Sequence, residues 1–256
     1  MTFPVLQDKV AIVTGAAQGM GEATARLFAQ AGAKVVVADF NQEKGQSVVD
    51  DIVANGGEAA FVKVDVSKGE QVKAMVAAAV EKYGRLDVAV NNAALTPDQA
   101  PIHEFDEQYW DRIMSVDLKG VALSLKYEIQ QLRAQGGGGS LINISSVSGF
   151  RPQPGNPAYI AAKHGVVGLT KAAALENGAE NIRVNSVAPG AIDTPMLRGA
   201  LEEMGINPDE YAPQLSLLNR FGSADEIAQA SLWLASDASS YVTGTTIHAD
   251  AGYTSR

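Results

Sequence analysis

Short runs of β-branched and small apolar residues alternate along the chain with longer stretches in which apolar positions recur at helical spacing. The runs Val10–Thr14, Ala33–Ala38, Ala59–Val64, Leu86–Val90, Ser140–Ile144, Arg183–Val187 and Thr246–Ala249 read as strands. Most are continuously apolar rather than alternating, as strands covered on both faces are. The stretches Gly21–Gln30, Glu43–Ala54, Gln71–Lys82, Asp106–Arg133, Ala158–Glu176 and Ala224–Ala235 read as helices. Several are rich in Ala, the best intrinsic helix former. This alternation predicts βαβ units and hence an α/β fold with a doubly wound, mostly parallel sheet and helices on both faces.

No linker or internal repeat divides the chain, so one domain is expected over residues 1–256. Gly136–Gly139 reads as a flexible turn between a long helix and a strand. Between Thr194 and Phe221, Gly199, Gly205, Pro208 and Pro213 interrupt weak helical patterns. A loop of that length in a compact domain is usually functional, and a mobile lid over 194–221 is expected.

Composition narrows the function. Hydrophobic residues make up 46% and charged residues 19%, enough apolar material for a large core, which excludes a disordered or fibrous chain. The absence of Cys excludes a disulfide scaffold, a Cys-based zinc site and a thiol nucleophile. The formal net charge is −9 with no run of Lys or Arg, which argues against nucleic acid as a partner. No apolar stretch approaches the roughly 20 residues of a membrane span. The opening MTFPVLQDKVAIVTG lacks the charged, apolar, then small-residue order of a signal peptide, so a cytoplasmic location is expected.

The first strand runs into Thr14-Gly15-Ala16-Ala17-Gln18-Gly19-Met20-Gly21, and a helix follows. Glycines there permit a tight turn and let backbone N–H groups approach a phosphate, while the helix N-terminus adds partial positive charge. The spacing is G-x-x-x-G-x-G, not the more common dinucleotide-binding G-x-G-x-x-G. The second strand ends at Asp39, where an acidic residue accepts hydrogen bonds from the adenosine ribose hydroxyls and repels a 2′-phosphate. Its neighbours Phe40 and Asn41 carry no positive charge, so NAD is expected rather than NADP.

With Asp65-Val66 after the third strand, Asn91-Asn92-Ala93-Ala94 after the fourth, Asn143-Ile144-Ser145-Ser146 at the fifth, Tyr159-Ile160-Ala161-Ala162-Lys163, and Pro189-Gly190-Ala191-Ile192-Asp193-Thr194, the chain resembles the short-chain dehydrogenase/reductase family in its single-domain form. The resemblance spans essentially the whole chain and implies a Rossmann-like, seven-stranded sheet. It implies cofactor contacts from Gly15, Gln18, Gly19, Met20, Gly21, Asp39 and Phe40. It also implies that Asp65 meets the adenine amino group with Val66 beside the ring, and that Asn92 and Ala93 lie along the ribose. Pro189, Gly190, Ile192 and Thr194 would then flank the nicotinamide carboxamide.

Tyr159 and Lys163 are four residues apart in an expected helix and so share a face. Oxidising an alcohol needs a base for the O–H proton as hydride leaves carbon. A free tyrosine is a poor base at neutral pH because its pKa is about 10, but a neighbouring ammonium and a positive nicotinamide favour the phenolate. By the resemblance, Lys163 also bonds the nicotinamide ribose. Ser146, thirteen positions before Tyr159, would bond the substrate oxygen and stabilise charge developing on it; Ser145 and Ser148 lie close by. Where the family usually has an Asn that holds a helix irregularity and a proton-relay water, this chain has Asp117, which is expected to anchor the same relay. Ala94 and Ala251 stand where the family usually has Gly.

The remaining expectations concern substrate and assembly. Ser146, Ser148, Gln153, Tyr159 and Met196 are expected to contact substrate, in a pocket also walled by Leu95, Thr96, Val147 and Pro154. The segment from Met196 to Leu218 is largely apolar, which points to a neutral secondary alcohol or its ketone, an alicyclic one being the preferred class, though the same lid would equally serve a chain alcohol or steroid. Arg198 and Arg220 are the cations left open for a phosphate-bearing substrate. His103, His164 and His248 show no metal-ligand spacing, and no metal is expected. The resemblance implies a homotetramer, with Leu123, Leu125, Ala161, Val166, Leu169 and Ala172 as candidate interface positions. The expected activity is NAD-dependent oxidation of the alcohol to a ketone. The alternatives are NADH-dependent ketone reduction and a non-catalytic dinucleotide-binding module.

Overall fold

A computed structural model describes residues 5–255; the leader reading at residues 1–4 lies outside the described residues. The elements run β1 (Val10–Thr14), α1 (Gly19–Gln30), β2 (Lys34–Asp39), α2 (Gln42–Ala54), β3 (Glu58–Lys63), α3 (Gly69–Tyr83), β4 (Val88–Asn91), α4 (Glu107–Ile113), a π-helical turn (Met114–Leu118), α5 (Lys119–Gln135), β5 (Gly139–Ile144), α6 (Pro157–Asn177) and β6 (Ile182–Pro189). They continue with β7 (Ile192–Asp193), α7 (Pro195–Glu203), α8 (Pro208–Leu215), β8 (Gly222–Ser223), α9 (Ala224–Ala235) and β9 (Thr246–Ala249). The expected strands all form, with ends displaced by one or two residues at most.

Among the described residues the large sheet has seven strands in the order β3-β2-β1-β4-β5-β6-β9, and every neighbouring pair is parallel. The strand order reverses between β1 and β4, the position at which open parallel sheets leave a crevice beyond their carboxyl ends. The continuous apolar runs are explained by the two faces. Ala11, Val13, Val35, Val37, Val88 and Val90 pack with Phe28, Val48, Ile52 and Ile227 of α1, α2 and α9. The intervening Val10, Ile12, Val36, Ala38 and Ala89 pack with Met75, Val76, Val121, Leu125 and Val166 of α3, α5 and α6. A side chain such as Phe28, wholly buried, stabilises the fold by roughly 1.5–3 kcal/mol through its burial.

Two expectations change. The helix read over Asp106–Arg133 is interrupted by the π turn, whose one extra residue per turn places Asp117 inside the protein. The irregular stretch 194–221 contains two helices: α7 runs through Gly199, and α8 starts at Pro208, capped by Asn207, and accommodates Pro213. Prolines at the first helical position cost nothing, since that N–H lacks an intrahelical partner anyway. Pairing of Ile192 with Gly222 and Asp193 with Ser223 ties the two ends of this stretch together.

Ala251, where the family usually has Gly, has φ +48°. A Cβ in the left-handed region costs roughly 1–2 kcal/mol, part of which glycine returns through its greater unfolded-state freedom. Ala251→Gly is therefore expected to raise the unfolding free energy by about 0.5–1 kcal/mol in denaturant titration; a loss of stability would show that the C-terminal turn carries no such strain.

Candidate active site

The turn after β1 is built from backbone contacts that only its sequence allows. Gly15 and Gly19 take φ +64° and +61°. The turn is fixed to β2 by Ala16 N–H donating to Ala38 O at 3.3 Å and Ala17 N–H to Asp39 Oδ2 at 3.0 Å. It is fixed to β4 by Thr14 Oγ1, which accepts from Asn92 N at 3.0 Å and Ala93 N at 3.2 Å. The Asn92 amide donates in return to Thr14 O at 2.9 Å and Gly15 O at 3.1 Å. Gln18, at the N-cap of α1, makes no side-chain hydrogen bond to the first turn, so the helix start faces the crevice without a capping group. Gly21 has a packing role: a Cβ there would lie 2.2 Å from Gly15 O.

A cleft of about 1150 Å³ opens over the carboxyl ends of the strands. Gly15, Gln18, Gly19, Met20, Asp39, Phe40, Asp65 and Val66 line one part of it. Asn92, Ala93, Pro189, Gly190, Ile192 and Thr194 line the middle, and Ser146, Ser148, Gln153, Tyr159, Lys163 and Met196 the rest. Of the expected site residues, Gly21 and Asp117 are not on its wall. The glycine turn and uncapped helix start suit a diphosphate, and the cleft is large enough for a dinucleotide beside a small substrate. Asp39 Oδ1 also accepts from Asn41 N–H at 2.8 Å, which holds the carboxylate in place with lone pairs left for ribose hydroxyls. Asp65 Oδ1 accepts from the backbone and hydroxyl of Ser67 at 3.0 and 2.7 Å.

β5 delivers Ser146, whose Oγ accepts from Ser148 N–H at 3.1 Å, leaving its own proton for another acceptor. α6 carries Tyr159 and Lys163 one turn apart, with Lys163 Nζ 5.3 Å from the centroid of the Tyr159 ring. The Lys163 ammonium is buried; it donates to Ile144 O at 3.3 Å and lies 3.5 Å from Asp117 Oδ2. Asp117 Oδ1 accepts from Leu95 N–H at 2.9 Å. Burial pushes the Asp117 carboxyl above the usual carboxylate range, opposed by the Lys163 charge and by the Leu95 hydrogen bond. Asp117 thus contacts Lys163 and the Leu95 loop from behind the cleft wall.

Several lining residues were not legible in the sequence. Lys44 lies on the cleft wall, as Asp39 does, and its ammonium donates to Gln18 Oε1 at 3.0 Å. Tyr253 also lines the cleft, where its hydroxyl accepts from Gln153 Nε2 at 2.7 Å. Arg198 and Arg220 are committed to ion pairs, with Asp193 at 2.6 Å and Glu226 at 2.7 Å, and neither lines the cleft. Among the described residues no His, Asp and Glu group is placed to hold a metal ion. Of the candidate interface positions, Leu125 and Val166 are buried in the chain's own core, because their sides of α5 and α6 face the sheet; Ala172 is exposed.

A polar network runs beneath the site. Asn91 Nδ2 donates to Glu128 Oε2 and to Asn143 Oδ1, each at 3.1 Å, and Asn143 Nδ2 donates to Thr170 Oγ1 at 2.9 Å. Glu128 is fully buried, and its Oε1 and Asn91 Oδ1 both lack a hydrogen-bond partner. A proton on the carboxyl would supply a donor for the amide oxygen and make the two groups a reciprocal acid–amide pair. Burial pushes the Glu128 carboxyl up to about 7, with the Asn91 hydrogen bond pulling the other way.

Comparison with known proteins gives a consistent picture. A family model described as enoyl-(acyl carrier protein) reductase matches residues 15–254. Short chain dehydrogenase/reductase astE of Aspergillus oryzae is 53% identical, over 96% of this chain and 95% of its own length. Cyclohexanol dehydrogenase of Acinetobacter sp. is 42% identical, over 97% of this chain and 96% of its own. The crystal structure of levodione reductase superposes with a TM-score of 0.93 at 36% identity, covering 98% of this chain and 99% of that one.

The raised Glu128 carboxyl has a definite sign. The folded state holds its proton more tightly than the unfolded chain, so this group's stabilising contribution is complete below about pH 4.5 and is lost as pH rises to about 7. The full loss is on the order of 3 kcal/mol. Gln at this position reproduces the neutral acid with both hydrogen bonds. Glu128→Gln is expected to match the wild type in denaturant unfolding at pH 4.5 and to exceed it at pH 8. An equal difference at both pH values would show that Glu128 is ionised throughout.

Proposed function

The chain belongs to the short-chain dehydrogenase/reductase family, and from that premise we propose that it is an NAD-dependent dehydrogenase that oxidises ring-borne secondary alcohols to ketones. It is an oxidoreductase of a family that uses a nicotinamide cofactor, NAD or NADP. The observation that carries the finer reading is the presence of Ser146, Tyr159 and Lys163 on one wall of a cleft whose other end is lined by Asp39.

The nicotinamide cofactor, when bound, supplies the hydride acceptor. Tyr159 takes the hydroxyl proton of the alcohol, Ser146 donates a hydrogen bond to the substrate oxygen, and the buried Lys163 ammonium stands one turn away, 5.3 Å from the centroid of the Tyr159 ring. The glycine turn and the start of α1 would receive the diphosphate, and Asp39 would accept from the adenosine ribose. Lys44 is the specific observation that favours NADP instead, since its ammonium lines the same part of the cleft. An apolar wall from Leu95, Val147, Met196, Leu197 and Leu201 supports a neutral ring substrate. A relative named for cyclohexanol oxidation points the same way. The reverse reaction, NADH-dependent ketone reduction, uses the same groups, and a structural neighbour is named as a reductase. With the three catalytic positions all present, a non-catalytic binding module is disfavoured. In this reading one domain spans the chain, α7 and α8 form the lid, and a cytoplasmic homotetramer is the working assembly.

The test is a thermal-shift titration with NAD and NADP followed by assay of cyclohexanol-type alcohols. At 100 times its dissociation constant the preferred cofactor stabilises the fold by about 2.7 kcal/mol. NAD is expected to give the larger shift, and Tyr159→Phe to keep that shift while losing about 10²–10⁴-fold in kcat. A larger shift with NADP would overturn the Asp39 argument, and a fully active Tyr159→Phe would overturn the mechanism.

A further inference from the structure

The first N–H groups of an α-helix have no intrahelical partner and must be satisfied from outside. At the start of α6 these groups can be accounted for one by one. Pro157 has no N–H, and Ile160 N–H donates to Asn156 O at 3.0 Å. Asn156, at the N-cap, offers no side-chain bond, and its Oδ1 is buried without a hydrogen-bond partner. The two N–H groups left belong to Ala158 and to Tyr159 itself. Both donate to one carboxylate far away in the sequence: Ala158 N–H to Asp98 Oδ2 and Tyr159 N–H to Asp98 Oδ1, each at 3.1 Å.

Asp98 is buried and belongs to the loop between β4 and α4, which also forms part of the cleft wall through Leu95, Thr96 and Pro97. The Tyr109 hydroxyl holds that loop at Thr96 O, 2.7 Å away. At its near end, Leu95 N–H donates to Asp117, the partner of Lys163. Four residues of cleft wall are therefore tied through one carboxylate to the Lys163 ammonium and through another to the backbone of Tyr159.

We propose that Asp98 is a positioning residue that fixes Tyr159 against the substrate loop by serving as the N-terminal cap of α6. The proposal rests on the assignment of Tyr159 as the base. The loop and the start of α6 then move as one body, and a substrate seated against Leu95 and Thr96 meets a Tyr159 whose height above the sheet is already set. Without Asp98, the N–H groups of Ala158 and Tyr159 lose their acceptor and the first turn of α6 frays. The cofactor-binding turn lies on other elements and is untouched.

Asp98→Ala and Asp98→Asn test this, with three readouts: amide hydrogen exchange over residues 157–161, cofactor affinity by thermal-shift titration, and kcat with a ring alcohol. Asp98→Ala is expected to exchange faster over 157–161 and to lose about 10- to 100-fold in kcat, the scale expected of a displaced catalytic group, with cofactor affinity held within about twofold. Asp98→Asn, which keeps one acceptor oxygen, is expected to recover part of both losses. Unchanged exchange over 157–161, faster exchange with wild-type kcat, or a kcat loss matched by an equal loss of cofactor affinity would each overturn the proposal. A wild-type chain inert toward ring alcohols would defeat the functional reading instead, and the exchange pattern would then decide on its own whether Asp98 holds the start of α6.

Discussion

An ammonium removed from water must find its partners within the protein or cost several kcal/mol, and Lys163, 2% exposed, finds two. Ile144 O can accept from it only where β5 ends, and Asp117 can face it only because the π turn places that side chain inside. Asp117 in turn holds Leu95, and with it the loop that walls the cleft. The position of one buried charge therefore sets the end of a strand, the irregularity of a helix and the course of a loop. Where the family usually carries an Asn at this place, this chain has the carboxyl of Asp117, 3.5 Å from the lysine.

The fold makes this arrangement possible by separating two tasks. The apolar runs of the parallel strands divide their side chains between two cores, so the sheet is rigid without help from the site. The strand ends are then free to carry polar groups such as Asp39 and Asn91, and the cleft opens over them, with α6 bringing Tyr159 and Lys163 to its wall. Thr14 and Asn92 show the economy of this plan: they exchange hydrogen bonds across β1 and β4 at the point where strand order reverses. Asn92 lines the cleft, yet its amide is occupied in holding the glycine turn after β1.

Local patterns were legible in the sequence. The strands, the glycine turn, Asp39 and the Tyr159–Lys163 spacing each depend on neighbours within one element, and all lie where the pattern placed them. What escaped depends on distant partners. Asp98 meets Tyr159 across 61 positions, and Glu128 meets Asn91 across 37; neither spacing carries a periodic signal. Lys44 and Tyr253 line the cleft because of how α2 and the C-terminal turn pack, not through any motif. The helices α7 and α8 are short and contain the poor helix formers Gly199 and Pro213, so their apolar pattern is too brief to stand out.

The pairing of Lys163 with Asp117 is the claim on which the rest depends, and a double-mutant cycle on stability tests it directly. Unfolding in denaturant without cofactor is compared for wild type, Lys163→Met, Asp117→Asn and the double variant. Removing one partner of a buried pair leaves the other uncompensated, at a cost of about 3–5 kcal/mol. The account predicts that Lys163→Met is costly in the wild-type background and at least about 1 kcal/mol less costly beside Asp117→Asn. Equal costs in both backgrounds would contradict it, and would mean that the two side chains are neighbours without being partners.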